Sequence, residues 1–94
     1  MLTIKQIEAA AQTVAKEYPI KSILLFGSYA RGNNTPESDV DLLVEFTRPI
    51  TLLTLSSLKI RLEELLNNPV DVLHAPLPKN SIIEPDKVVQ VYAA

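Results

Sequence analysis

Apolar positions recur along the chain with two different periods. Over residues 3–17 they fall at Ile4, Ile7, Ala11, Val14 and Ala15, the spacing that lays one stripe along a helix. Thr3 with Gln6 fits a capping box, in which each side chain satisfies a backbone N–H at the helix start. Pro19 stops this helix, because the residue before a proline avoids helical geometry. Lys21–Phe26 is then a nearly continuous apolar run, suited to a strand buried on both faces. Gly27-Ser28 closes the run, and YARG at 29–32 predicts one helical turn ended by Gly32. NNTPES at 33–38 is dense in turn formers and reads as a surface loop. Asp39–Phe46 is a second strand, ended by Arg48-Pro49.

In the second half, Thr51 caps a helix over 52–66 with Leu55, Leu58, Leu62 and Leu65 as its buried stripe. Lys59 and Glu63 make an i,i+4 pair outside it, while Leu53, Ile60 and Leu66 widen the apolar arc. A wide arc is first a core feature and second a surface for a partner. Asn67-Asn68-Pro69 terminates the helix, and Val70–Leu73 is a short third strand. Pro76 and Pro78 mark a loop, Ser81 starts a helical turn, and VVQVY predicts a short edge strand. The second and third strands, joined by a helix of about four turns, form a βαβ unit. They are expected to be parallel with a right-handed crossover. The fold class is therefore α/β, a small mixed sheet in the order 1-2-3 with an extra edge strand, packed with helices.

That topology gathers chemistry at one end of the sheet. Asp41 and Asp71 lie near the beginnings of parallel strands, and the end of an antiparallel first strand brings Gly27-Ser28 to the same edge. Asp39 and Asp41 are two apart, which on an extended backbone puts them on one face. Two carboxylates held together repel unless a cation takes both, and Mg²⁺ suits such a pair because it keeps waters and uses phosphate oxygens for the rest. With Asp71, two ions about 3.5–4 Å apart can be held. Glycine lets backbone N–H groups approach a phosphate, Ser28 adds a hydroxyl donor, and Arg31 is within reach of one. Asp39 alone would read as a turn or cap residue. Its pairing with Asp41 at a strand entrance, ten residues after Gly-Ser, argues for a site, because buried strands disfavour carboxylates. His74 reads as a rim residue, and Tyr18, Tyr29 and Tyr92 as packing residues.

Composition removes several other functions. Ninety-four residues make one domain over 1–94. A net charge of −2, with nine Lys and Arg, does not support a groove that tracks an extended nucleic acid. The absence of Cys excludes disulfides, thiolate zinc sites and a Cys nucleophile. The N-terminus lacks the basic-then-apolar order of a signal peptide, and no apolar run approaches about 18 residues. A cytoplasmic protein with no membrane partner is expected.

Gly27-Ser28, ten residues, Asp39-Val40-Asp41 and a later Asp71 resemble the nucleotidyltransferase superfamily of the DNA polymerase β type. The fuller string GSYARGNNTPESDVDLLVEF is most similar to minimal nucleotidyltransferases, the MntA-type antitoxins paired with HEPN-domain toxins. The resemblance covers nearly the whole chain. It implies the nucleotidyltransferase fold, Mg²⁺ ions, ATP as substrate, and transfer of a nucleoside monophosphate. It further implies that Asp39, Asp41 and Asp71 are catalytic metal ligands, that Gly27 and Ser28 hold the triphosphate, and that Arg31 contacts phosphate. In MntA-type members the acceptor is a tyrosine of the HEPN toxin, whose ribonuclease activity the AMP silences. Larger relatives carry acceptor-binding domains that are not expected here, so a partner protein would supply the acceptor contacts or the protein itself would be the acceptor, which favours protein modification over nucleic-acid tailing. The alternatives are an antitoxin acting by docking alone, and the catalytic half of a split transferase acting on a small molecule or RNA end.

Overall fold

The computed structural model describes residues 2–32, 38–74 and 88–94. Helix α1 (Ile4–Glu17) begins at Thr3, and both halves of the capping box form: Gln6 N–H donates to Thr3 Oγ1 at 3.2 Å, and Thr3 N–H to Gln6 Oε1 at 2.8 Å. Strand β1 (Ile20–Phe26) follows directly after Pro19. The short helix α2 (Ser28–Arg31) and strand β2 (Val40–Phe46) come next. Thr51 caps α3 (Leu52–Leu66), which ends in Asn67 with a left-handed backbone. Strands β3 (Val70–His74) and β4 (Val89–Ala93) complete the described chain. Pro76, Pro78 and the helical turn expected from Ser81 lie outside the described residues, as does most of the loop at 33–38.

The four strands form one sheet in the order β3-β2-β1-β4. Strand β1 runs antiparallel to β2 and β4, and β2 runs parallel to β3 through the α3 crossover. The expected order and orientations therefore hold, with β4 as the extra edge strand beside β1. Alternation then sorts the side chains. Ile23 and Leu25 of β1 and Val40, Leu42 and Val44 of β2 are fully buried on one face. They meet Ile7, Ala10, Ala11 and Val14 of α1 and Leu58, Leu62 and Leu66 of α3, so both long helices cover that face. The site residues are left to the other side.

Two helix faces differ from expectation. The buried arc of α1 is rotated toward Ala10, which leaves Ile4 exposed and Ala15 only partly buried. In α3 the core row runs Leu58, Leu62, Leu66, so Leu65 is exposed and Leu55 half-buried. A period of 3.6 residues admits either continuation after Leu62; packing against the sheet and α1 selects the i+4 row. Leu53 and Ile60 stay exposed on the outer side. Glu63, expected to pair with Lys59, instead accepts the Val70 N–H at 3.1 Å.

The helices are also tied to each other at the surface. Arg61 of α3 donates through Nε and Nη2 to both carboxylate oxygens of Glu17, at 3.0 and 3.1 Å. These hydrogen bonds, more than the charge itself, hold the Glu17 carboxyl below the ordinary Glu value and raise the Arg61 guanidinium above its own. Nearby, the Tyr18 hydroxyl shares a 2.6 Å hydrogen bond with Ser57.

Leu62→Ala, which empties a fully buried position, is expected to cost about 2–5 kcal/mol in urea unfolding. Ile60→Ala, at a residue 57% exposed, is expected to stay within about 0.5 kcal/mol of wild type. Because the folded state lowers the pKa of Glu17, its pairing stabilises the protein above the unfolded-state value and is lost as pH falls through the folded one. Thermal melts of wild type and Glu17→Gln should therefore differ slightly at neutral pH and converge below the carboxylate range.

Candidate active site

The site residues meet where β1 ends and where β2 and β3 begin. Register places Phe26 opposite Asp41, and Asp41 opposite Asp71, in one row across three strands. Partners in such a row share a face of the sheet. In β2 that face is the one away from Val40, Leu42 and Val44, so Asp41 and Asp71 stand opposite the helix-covered core. Asp41 is half-buried, whereas Asp71, on an edge strand, is exposed.

Gly27 follows Phe26 with φ +76°, a backbone that side chains rarely adopt. A second reason for glycine is steric. An added Cβ would overlap Asp41 Oδ2 and stand 3.1 Å from Asp41 Cγ. The turn is thus packed directly against the central carboxylate. In the sequence the missing Cβ suggests room for a phosphate; the neighbour found there is Asp41. Gly32 also has positive φ, but a Cβ there would meet only open space.

Ser28 and Arg31 occupy the two ends of α2, so the backbone of this short helix begins one residue after Gly27. Its Tyr29 is buried, and Ala30 is partly buried against the core, which anchors the turn. Asp39 is exposed and precedes β2 by one residue, because the strand starts at Val40 rather than Asp39. Gly27 and Asp41 are therefore in direct apposition, Asp71 is the register neighbour of Asp41, and Asp39 adjoins the strand entrance.

The three aspartates offer only oxygen donors, the chemistry preferred by a hard divalent cation. Their backbone positions are adjacent, yet among the described residues no three His, Asp or Glu side chains form a group that could hold a metal ion. His74 ends β3 and is exposed, with its ring 5.2 Å from that of Phe46, as expected of a rim residue.

One part of the site was not read from the sequence as such. In the sequence Asn67-Asn68-Pro69 reads only as a helix stop, but it also holds the chain on both sides of Asp39. Asn68 Nδ2 donates to the Ser38 carbonyl at 3.1 Å, and the Val40 N–H donates to the Pro69 carbonyl at 3.0 Å. The polar Asn68, two residues before a strand that begins with Val70-Asp71, is the available signal.

Comparison with known proteins shows the family. The family described as nucleotidyltransferase domain matches residues 7–93. A proposed protein adenylyltransferase of Methanocaldococcus jannaschii is 40% identical over 93 residues, covering 89% of this chain and 95% of that protein. The protein adenylyltransferase MntA of Thermococcus cleftensis is 37% identical over 86 residues, with 87% of each chain covered. The fold is also similar to a chain in the structure of a tri-AMPylated Shewanella oneidensis HEPN toxin in complex with MNT antitoxin. That match has a TM-score of 0.61 at 17% identity, and covers 93% of this chain and 72% of that one. The chain belongs to the nucleotidyltransferase domain family, as a minimal member of the MntA type.

Proposed function

We propose that this protein transfers AMP from ATP to a hydroxyl group of a partner protein, a tyrosine of a HEPN-type toxin, and so acts as an antitoxin in the cytoplasm. The observation that carries the reading is the Asp41 carboxylate packed against the Gly27 turn with Asp71 as its register neighbour. The family match and the adenylyltransferases at about 40% identity support the same chemistry. The proposed unit is a single minimal domain over residues 1–94.

In this reading Asp39 and Asp41 would hold Mg²⁺, and Asp71 would complete a site for two ions. Mg²⁺, when bound, supplies positive charge to the triphosphate and lowers the cost of placing carboxylates side by side. The protein's own parts do the rest. The Gly27-Ser28 turn receives the triphosphate, and Arg31 adds a cationic contact to it. The acceptor hydroxyl oxygen attacks the α-phosphorus in line, its bond to phosphorus forms, and the bond to the pyrophosphate oxygen breaks. The hydroxyl proton passes to a carboxylate, for which Asp71 is the candidate because it is the exposed member of the row. The products are the adenylylated protein and pyrophosphate.

Incubation with labelled ATP, Mg²⁺ and the cognate toxin is expected to label the toxin. Asp39→Asn with Asp41→Asn should abolish that label while leaving a cooperative thermal melt, since neither residue belongs to the apolar core. Label on RNA instead of protein, or unimpaired toxin neutralisation by the double variant, would contradict the reading. Gly27→Ala is expected to cost about 1–3 kcal/mol in urea unfolding, the range for a non-glycine residue held at positive φ. It should also weaken ATP binding in calorimetry, because the new methyl displaces the Asp41 carboxylate.

A further inference from the structure

Asp39 lies just outside the strand ladder, which begins at Val40. Its backbone is nevertheless held on both sides by the loop that connects α3 to β3. The carbonyl before it, that of Ser38, accepts a hydrogen bond from Asn68 Nδ2. The N–H after it, that of Val40, donates to the Pro69 carbonyl. Asn68 Nδ2 also reaches the Pro69 carbonyl at 3.0 Å, so one amide nitrogen joins both acceptors. The loop itself is fixed at its far end, where Glu63 Oε2 accepts the Val70 N–H one residue before Asp71. These contacts link the strand entrance of one aspartate pair to that of the third aspartate. A helix stop needs none of them, because the left-handed Asn67 already turns the chain and its N–H already donates to the Glu63 carbonyl.

We infer that Asn68 is a positioning residue, whose side-chain amide sets Asp39 relative to Asp41 and Asp71 for the binding of a divalent cation with a nucleotide. The inference rests on the nucleotidyl-transfer reading for its ligand and on the hydrogen bonds around Asp39 for its geometry. Without the amide, Ser38 loses the bond from Asn68, while the bond between Val40 N–H and the Pro69 carbonyl remains on the other side of Asp39.

The test uses the full chain as wild type, Asn68→Ala and Asn68→Asp, the last keeping the shape of asparagine while removing the donor. Amide hydrogen exchange is measured first. Mg²⁺ is then titrated in the presence of AMP-PNP and followed by calorimetry. Exchange at Asp39, Val40 and Asp41 is expected to quicken in both variants, with the amides of Ile23–Leu25 at wild-type rates. The Mg²⁺ concentration for half-saturation is expected to rise on the order of 10-fold, as when an outer partner of a metal ligand is lost. Unchanged exchange at residues 39–41 overturns the inference, whatever the titration shows. Faster exchange with unchanged half-saturation overturns the positioning role and leaves Asn68 a loop stabiliser. A rise that extends through β1 marks a general loss of stability and overturns it too. If wild type binds no Mg²⁺ with AMP-PNP, the nucleotidyl-transfer reading fails, and the role of Asn68 toward that ligand fails with it. The exchange data then still decide whether the amide orders Asp39.

Discussion

A carboxylate packed against a bare Cα is the contact on which the rest of the site depends. Asp41 can occupy its place in β2 only because residue 27 has no side chain, and residue 27 can turn there only because glycine accepts φ +76°. Two requirements fall on one position, one conformational and one steric. The contact joins the end of β1 to the start of β2, so the turn and the acidic strand are fixed as one unit. The buried Tyr29 holds the other side of the turn against the core.

The third carboxylate reaches this unit by a different route. Strand β3 lies beside β2 because α3 carries the chain back across the sheet, and such a crossover leaves the two strands parallel. Parallel strands start at the same end, so an aspartate in the second position of each becomes a neighbour of the other. Leu58, Leu62 and Leu66 press α3 onto the sheet, and that packing maintains the pairing of Asp41 with Asp71. Core and site are thus coupled through strand register.

Much of this was legible in the sequence, for identifiable reasons. Gly27, Asp39, Asp41 and Asp71 were conspicuous because small and acidic residues interrupt apolar runs, and connection rules alone were enough to bring three of them to one sheet edge. The caps at Thr3 and Thr51 were legible because they depend on neighbours three residues away. Choices between equivalent positions were not. Leu65 and Leu66 satisfy the same helical period, and only the sheet and α1 decide which is buried. The bonds from Glu63 to Val70 and from Asn68 to Ser38 were hidden for a related reason. Both join parts of the chain whose proximity follows from the finished crossover and not from any local pattern.

The division of the sheet into two faces explains how so small a protein can carry three aspartates near one another. The apolar side of the sheet and both long helices supply the buried core, and no charged or polar residue among those described is buried. The aspartates occupy the other face and its rim, where Asp39 and Asp71 remain in contact with water and avoid the several kcal/mol that burying a lone carboxylate costs. Folding is therefore driven by residues on the face opposite the aspartates. The acidic edge must satisfy only the local constraints at Gly27, at the β2–β3 register and at the Asn68 loop. Substitutions in the core act on the site through register, whereas substitutions at the edge leave the core packing in place. The acidic edge can therefore change without repacking the core, provided that the turn at Gly27 keeps room for Asp41.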